Sequence, residues 1–216
     1  MKKYGKMKIN RVALWLGVIL SGLFYLAGCS LNSADDPKVL VGTGPLVDLD
    51  VQVDTIESVT QFGYGIFYVK HGAEQKVTIR AQQNILDHIQ YGVTNNDFSW
   101  GFDGNVSLDP STDSIVVTCI VTKEIKSINL AGTGAIITEG PRQKRINLQL
   151  NGAGSILNYD LPVNICKVTF TGAGVMKVNV SDSLSGSLSG QGYVYYKGNP
   201  YIALPVLGTG YVVDDN

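Results

Sequence analysis

Histidine and cysteine are scarce in this chain, and their scarcity excludes several kinds of site. The 216 residues include two His and three Cys, and no spacing among them matches a zinc site. The sequence has no Gly-x-Ser-x-Gly elbow of a serine hydrolase and no Gly-Gly-x-Gly-x-Asp pattern of a calcium β-roll. No helix is predicted after a Gly-x-Gly step, which excludes a dinucleotide-binding fingerprint. We therefore predict no metal, no cofactor and no enzyme activity.

Long apolar and helical patterns are also missing. No stretch after residue 28 shows a sustained 3.6-residue apolar period. The one long apolar run, Val12–Leu26, is about 15 residues, whereas roughly 20 are needed to span a bilayer. Five cations and no acid precede this run. A basic segment followed by a short apolar one is typical of a secretory signal peptide.

The signal peptide ends in Leu26, Ala27 and Gly28, followed by Cys29, and here the chain resembles bacterial lipoprotein precursors with their lipobox. That resemblance implies cleavage before Cys29, with acyl chains such as palmitate on its thiol and its amine. Ser30 after the cysteine favours the outer membrane, and the acidic residues close behind it favour export to the surface. The alternatives are an uncleaved anchor with an incidental cysteine and a tether that is merely solvated.

Charge is sparse and mostly negative once residues 1–28 are removed. The remaining chain has 12 Lys and Arg against 18 Asp and Glu, a formal net charge of −6. Nucleic-acid binding depends on cations that neutralise phosphates, so we predict no nucleic-acid partner. The predicted domains are a signal peptide (1–28), a polar tether (29–38) and a β-domain (39–216).

A Gly-x-Gly step recurs five times in the second half of the chain. The first glycines follow one another at intervals of 20, 20, 18 and 18 residues, and such a period is typical of stacked repeats. Apolar residues alternate with small or polar ones before each step, as in a strand with one buried face. The repeat glycines are Gly132, Gly134, Gly152, Gly154, Gly172, Gly174, Gly190, Gly192, Gly208 and Gly210.

Stacked copies of this unit predict an all-β fold, a parallel β-helix or β-solenoid, taken as right-handed, with rungs of about 18–20 residues. Glycine suits a corner that stacks on identical corners, because it allows positive φ and close backbone approach. Residues 123–216 would form the regular rungs. Residues 39–122 would form less regular rungs with some local antiparallel pairing. The alternative is a series of β-hairpins with glycine turns.

Several segments together resemble one known family, the head GIN domain family of putative auto-transporter adhesins. They are Val41–Gly44, Val77–Ala81, Asn84–Ile89, Leu150–Ile156 and Phe170–Val175. The resemblance extends over residues 39–216. It implies a β-helical protein of the cell envelope, secreted or lipid-anchored, and it supplies no catalytic residues.

Tyrosines are the best candidates for a binding site. Tyr193, Tyr195, Tyr196 and Tyr201 crowd the last repeats, with Tyr211 close behind. Exposed aromatic rings can stack on sugars or anchor a protein partner. The alternative is a hydrophobic cap on the end of the domain.

Two other groups of residues have more ordinary interpretations. We predict a solvated basic turn, rather than an anion site, at Arg142, Lys144 and Arg145. Cys119 and Cys166 alternate with apolar neighbours and are predicted to be buried thiols, with a disulfide as the alternative.

Three functions are compatible with these patterns. The first is a lipid-anchored envelope module that binds a glycan or a protein, the second a structural or assembly component of the envelope, and the third a polysaccharide-active enzyme. The third is disfavoured because the outward positions of the repeats hold the neutral residues Asn129, Gln149, Thr169 and Ser187. No oligomeric state is predicted.

Overall fold

The computed structural model describes residues 38–104, 106–112 and 114–216. The predicted signal peptide, Cys29 and the tether up to residue 37 lie outside the described residues. Within them, the elements in chain order are β1 (Lys38–Leu40), β2 (Leu46–Val51), β3 (Ser58–Phe62), β4 (Ile66–His71), β5 (Lys76–Gln82), α1 (Gln83–Leu86), β6 (Ile89–Thr94), β7 (Asp97–Phe102), β8 (Val106–Leu108), β9 (Val116–Val121), β10 (Ser127–Gly132), β11 (Ala135–Glu139), β12 (Gln143–Gly152), β13 (Ser155–Gly172), β14 (Val175–Gly190), β15 (Tyr193–Lys197), β16 (Tyr201–Ala203) and β17 (Tyr211–Asp214). The all-β class is confirmed. No helix among these residues is both long and apolar enough to cross a membrane.

Period-two alternation directs one face of each repeat strand into the core. In β12, Ile146, Leu148 and Leu150 are buried while Asn147 and Gln149 between them are exposed. An isolated strand of this kind would leave its apolar face in water. Pairing with its neighbours, and packing across the core, removes that surface from solvent.

The Gly-x-Gly repeats pair in parallel at the spacing that the sequence predicts. Ile128 in β10 is the register partner of Leu148 in β12, which is the partner of Val168 in β13. The strands on either side of Gly132 and Gly134 do not pair with each other, since β10 pairs with β12 and β11 pairs with β13. The hairpin alternative is therefore wrong.

The longest strand, β13, bends and so joins two parts of the sheet, which we call arms. One arm contains β11 and the other contains β12. In β13, residues Ser155–Leu157 pair with β11, and residues Val163–Gly172 pair with β12. At the bend, Asn158 is fully buried. Its amide donates to the Leu161 carbonyl at 3.1 Å, and its oxygen accepts from the Thr138 hydroxyl at 2.6 Å. These bonds satisfy polar groups that would otherwise be costly to bury at the bend.

The sheet is mixed, so the predicted parallel β-helix is wrong as a description of the fold. β5 runs antiparallel to both β2 and β9, and β6 runs antiparallel to β7. All of these strands belong to the same curled 15-stranded sheet as the repeats. Asn95 and Asn96 give one physical reason for the antiparallel pairing of β6 and β7. They adopt φ of 52° and 63° and form a two-residue hairpin loop, which reverses the chain instead of starting another parallel turn.

Aromatic residues close the core between the two arms of the sheet. Phe67 in β4 packs edge-on against Phe98 and Trp100 in β7, with ring centroids 5.9 and 6.2 Å away. All three side chains are buried. Such pairs stabilise a core beyond the area that they bury. Because β4 and β7 lie in different arms, these ring contacts pack one arm of the sheet against the other.

The glycine steps stack where no side chain would fit. Gly132, Gly152, Gly172 and Gly190 are successive register partners. A Cβ added to Gly172 would lie 2.0 Å from the Gly152 carbonyl oxygen, and Gly172 has a φ of +134°. Both the space and the backbone conformation at this corner require glycine.

The Gly172→Ala substitution should destabilise the protein by about 2 kcal/mol or more, because it combines a forbidden contact with backbone strain. Urea denaturation of the purified protein measures this loss. Gly92→Ala is the matched control, since nothing lies within 4 Å of a Cβ at Gly92 in its edge strand β6. Equal stability of the two variants would contradict the role of the stacked corner.

The two cysteines in the β-domain are buried thiols, as predicted. Cys119 and Cys166 are both free and fully buried. Burial raises the pKa of each thiol from 9.0 to about 12. A pKa raised in the folded state means that the folded protein holds these protons more tightly than the unfolded chain. The corresponding stability is lost as the pH rises above about 9.

A Cys29→Ser variant isolates these thiols for titration. The thiolate is the reactive form, so folded protein at pH 8 should react negligibly with DTNB. Unfolding without a reductant should release two reactive thiols. Rapid reaction of the folded protein, or fewer than two thiols after unfolding, would contradict this prediction.

Candidate binding surface

The outward side of six successive parallel strands forms an elongated apolar surface, which we call the apolar face. These strands are β4, β11, β13, β14, β15 and β17. One row of register partners across them is Ile66, Ala135, Ser155, Val175, Tyr193 and Tyr211, and the next row is Tyr68, Ile137, Leu157, Lys177, Tyr195 and Val213. All of these side chains are half-buried or exposed. A strand surface that faces solvent is normally polar, so this one is a candidate site of contact.

The two ends of the apolar face differ in how their charges are arranged. In β4, Lys70 pairs with Glu139 of β11 at 3.1 Å, and beyond the face Arg80 of β5 pairs with Asp48 of β2 at 3.3 Å. The opposite end, at β14, β15 and β17, carries the tyrosine–lysine cluster. This cluster comprises Tyr159, Lys177, Tyr193, Tyr195, Lys197 and Tyr211.

Stacked rings form the exposed part of the tyrosine–lysine cluster. The ring of Tyr193 lies 5.8 Å from that of Tyr195 and 5.6 Å from that of Tyr211, with interplanar angles of 16° and 19°. Tyr193 is 40% exposed and Tyr211 is 58% exposed. Stacking restricts the rotamers of the three rings, so a ligand that packs on them loses little further side-chain entropy.

Two lysines lie against the tyrosine rings. The Lys177 ammonium is 5.5 Å from the ring centroid of Tyr159 and 5.6 Å from that of Tyr195. The Lys197 ammonium is 4.8 Å from the centroid of Tyr159. These are cation–π distances. Within the part of the chain that the structure describes, neither lysine forms an ion pair with a carboxylate.

Tyr159 is fixed beneath both lysines. Its hydroxyl donates to the Asp215 carboxylate at 2.6 Å. Desolvation, and then the hydrogen bond to this carboxylate, raise the pKa of Tyr159 well above its ordinary value. The hydrogen bond to Asp215 fixes the position of the Tyr159 ring, which lies against the two ammonium groups.

The structure brings together two of the four predicted tyrosines. Tyr193 and Tyr195 are in the cluster. Tyr196, the next residue, lies on the opposite side of β15 and packs partly against the core, where desolvation and then Asp214 raise its pKa. Tyr201 lies in β16, which pairs with a different part of β14, and is 75% exposed.

Besides Tyr211, which the sequence places close behind the four predicted tyrosines, three members of the cluster were not among the predicted residues. Lys177 could have been found, because its position 18 residues before Tyr195 makes the two register partners. Lys197 is likewise the partner of Asn179 in the outward row. No periodic signal places Tyr159, since it lies at the bend of β13 where the register shifts.

A second surface follows the other arm of the sheet and is polar. Asn129, Gln149, Thr169 and Ser187 are register partners on it, facing outward as the sequence predicts. A shallow groove of about 250 Å³ runs between Ser127, Asn129, Asn147, Gln149, Lys167 and Thr169. Among the described residues, no carboxylate lines this groove, whereas the polysaccharide enzyme considered above would need acids beside its cation.

His88 and the predicted basic turn lie outside the tyrosine–lysine cluster. His88 lies between Asp103 at 3.1 Å and Lys38 at 3.1 Å, at the edge where β1 begins. In the described residues, no group of three or more His, Cys, Asp and Glu side chains could hold a metal ion. Arg142 donates to the Val163 carbonyl at 3.4 Å, while Lys144 and Arg145 are exposed beside it.

Two solved structures share the fold of this chain. A putative adhesin from Bacteroides fragilis NCTC 9343 is 17% identical, with a TM-score of 0.55 over 81% of this chain and 99% of that one. A putative lipid binding protein from Parabacteroides distasonis ATCC 8503 is 15% identical, with a TM-score of 0.54 over 83% and 100%. At these identities the likeness concerns the fold alone. A comparison with curated proteins found no match.

A family model matches most of the β-domain. It is described as "Putative auto-transporter adhesin, head GIN domain" and matches residues 56–154 and 142–200. These matches span the segments Leu150–Ile156 and Phe170–Val175, on which much of the predicted resemblance depends, and that prediction is confirmed. The chain belongs to the head GIN domain family of putative auto-transporter adhesins.

Proposed function

We propose that this protein is an adhesion module of the cell envelope and that it binds a glycan through the tyrosine–lysine cluster. The observation that carries the proposal is the stacked, exposed group of Tyr193, Tyr195 and Tyr211 at the end of an apolar outward sheet face. Membership of an adhesin family supports it, as does the description of a protein of the same fold as a putative adhesin.

A sugar ring suits this surface for physical reasons. One side of a pyranose ring presents C–H groups that pack on an aromatic ring, while its hydroxyls stay hydrated or form hydrogen bonds. The strands repeat about every 4.8 Å across the sheet, close to the advance of one sugar residue in an extended chain. The rows of register partners run in this direction, so a linear glycan along them would meet Tyr211, Tyr193 and then Val175.

The sheet supplies the rigidity that recognition needs. Backbone hydrogen bonds hold β14, β15 and β17 in register, and the inward neighbours Met176, Val178 and Val194 are fully buried. The cluster is therefore fixed before the ligand arrives, which reduces the entropic cost of binding. Binding of this kind requires no covalent step.

We further propose that Cys29 carries the lipid that holds the domain at the membrane. More than one acyl chain is needed for stable anchoring, and a lipobox cysteine receives them on both its thiol and its amine. The polar tether Ser30–Lys38 could extend about 30 Å. It would allow the domain to stand clear of lipid headgroups, with the outer membrane as the expected location.

The double substitution Tyr193→Ala/Tyr211→Ala should weaken the adhesion of cells that display the protein by at least about tenfold in apparent affinity. The reason is that aromatic side chains covered by a ligand contribute much of the binding energy of a typical interface. Adhesion to glycan-coated surfaces is measured at equal surface abundance of each variant. Tyr91→Ala is the matched control, because Tyr91 is an exposed tyrosine (37%) on the distant strand β6.

Three results would contradict this proposal. Loss of folding in the tyrosine variant, seen as a collapse in thermal stability, would favour the hydrophobic cap. Unchanged adhesion with normal stability would favour a structural role in the envelope. Binding that depends on the tyrosines but is lost when protein is removed from the coated surface would identify a protein ligand instead.

Replacement of Cys29 by Ser should move the protein from the membrane fraction to the soluble fraction and abolish incorporation of labelled palmitate. Cys166→Ser is the control, since that thiol is buried in the β-domain. Protease treatment of intact cells then tests which side of the membrane it faces. Palmitate labelling of the Cys29→Ser variant would contradict the assignment, and protection from protease would exclude an external adhesin.

A further inference from the structure

The charge of the ligand can be inferred from the two lysines of the tyrosine–lysine cluster. We propose that the cluster binds an acidic glycan, with Lys177 and Lys197 contacting its carboxylate or sulfate groups while its sugar rings pack on Tyr193 and Tyr211. This inference rests on the proposed function and specifies its ligand class. It would assign a binding role to Lys177, Lys197 and Tyr159, which sequence reasoning did not single out.

A comparison within one sheet face supports the inference. At and beyond the other end of the apolar face the outward cations have acidic partners: Lys70 with Glu139, and in β5 Lys76 with Asp50 at 3.1 Å and Arg80 with Asp48. Lys70 also lies 5.5 Å from the ring of Tyr68, so an aromatic neighbour alone does not set the two ends apart. The difference is that Lys177 and Lys197 have aromatic partners and, among the described residues, no ion-paired carboxylate. A ring face attracts an ammonium group but does not neutralise it, so both lysines remain cations beside the exposed rings.

Two acidic residues lie near the cluster, and each accepts hydrogen bonds from groups other than the lysines. Asp215 accepts the hydroxyl of Tyr159 within the cluster, and Asp214 accepts from the backbone and the side-chain amide of Asn216, at 3.1 and 2.6 Å. These contacts hold Asp215 at Tyr159 and Asp214 at the end of the chain. They also leave the donor positions of both lysines available for a ligand anion.

The anion site must be local rather than a property of the whole surface. The chain beyond residue 28 has a formal net charge of −6, so a polyanion is repelled at long range. Attraction at the cluster would act over a few ångströms and would be weakened by salt. Contact of the sugar rings with the tyrosines would offset the long-range repulsion and select a glycan over a small anion.

The test uses the full chain displayed on cells and three soluble polymers. Polygalacturonate supplies carboxylates, its fully methyl-esterified form supplies the same backbone without charge, and keratan sulfate, which contains no uronic acid, supplies sulfates without carboxylates. Lys177→Gln/Lys197→Gln should reduce binding of a charged polymer by about tenfold or more and leave binding of the methyl ester unchanged. The polymer that is affected identifies carboxylate or sulfate as the anion.

Lys123→Gln/Lys144→Gln is the matched control, because it removes the same charge from two exposed lysines outside the cluster and outside the polar groove. It should change binding by less than about twofold. The inference is overturned if the control pair has the same effect, or if the methyl ester binds as well as the acid. Binding of any polymer that requires Tyr193 and Tyr211 but not the lysines would leave the proposed function standing without this inference. Failure of all three polymers to bind would contradict both.

Discussion

The fold depends on how closely the chain approaches itself at the Gly-x-Gly corners. The backbone of Gly172 lies so near Gly152 that a single methyl group would overlap the carbonyl below it. This contact sets one repeat on the next with like residues paired, as Leu150 with Phe170 and Gly152 with Gly172. Each buried row and each outward row follows from that register. A side chain at the corner would separate the repeats and disturb every row at once.

The register of the second half could be predicted because its Gly-x-Gly unit repeats. The strand pairing of the first half could not, because that part of the sequence has no regular repeat. Equal spacing of glycines predicts parallel pairing of β10, β12 and β13, which the structure shows. The sequence pattern could not show that β5 lies antiparallel between β2 and β9. Alternation of apolar and polar residues is the same for a strand in a parallel pair and in an antiparallel pair. The Asn95–Asn96 loop reverses the chain between β6 and β7, but the place of that hairpin in the whole sheet depends on long-range pairing.

The candidate site was predictable to a similar extent. The crowding of tyrosines indicated the end of the domain where the tyrosine–lysine cluster lies. Period two alone separates Tyr193 and Tyr195 from Tyr196, which packs toward the core. The ring contacts of Lys177 follow from its register with Tyr195. Tyr159 could not be foreseen, because the bend in β13 moves it out of the repeat, and its hydroxyl finds a partner 56 residues away in Asp215.

Stacking also explains how one scaffold can present two different surfaces. The inward rows must stay apolar and the corners must stay glycine, but an outward residue affects the fold only through its cross-strand neighbours. One arm uses this freedom for neutral amides and hydroxyls, such as Asn129 and Gln149. The other changes along its length, from cations paired with carboxylates to cations resting on tyrosine rings. Ion pairs at an exposed site contribute little to stability, so replacing them with rings and open ammonium groups costs the fold little while it alters what the surface can bind.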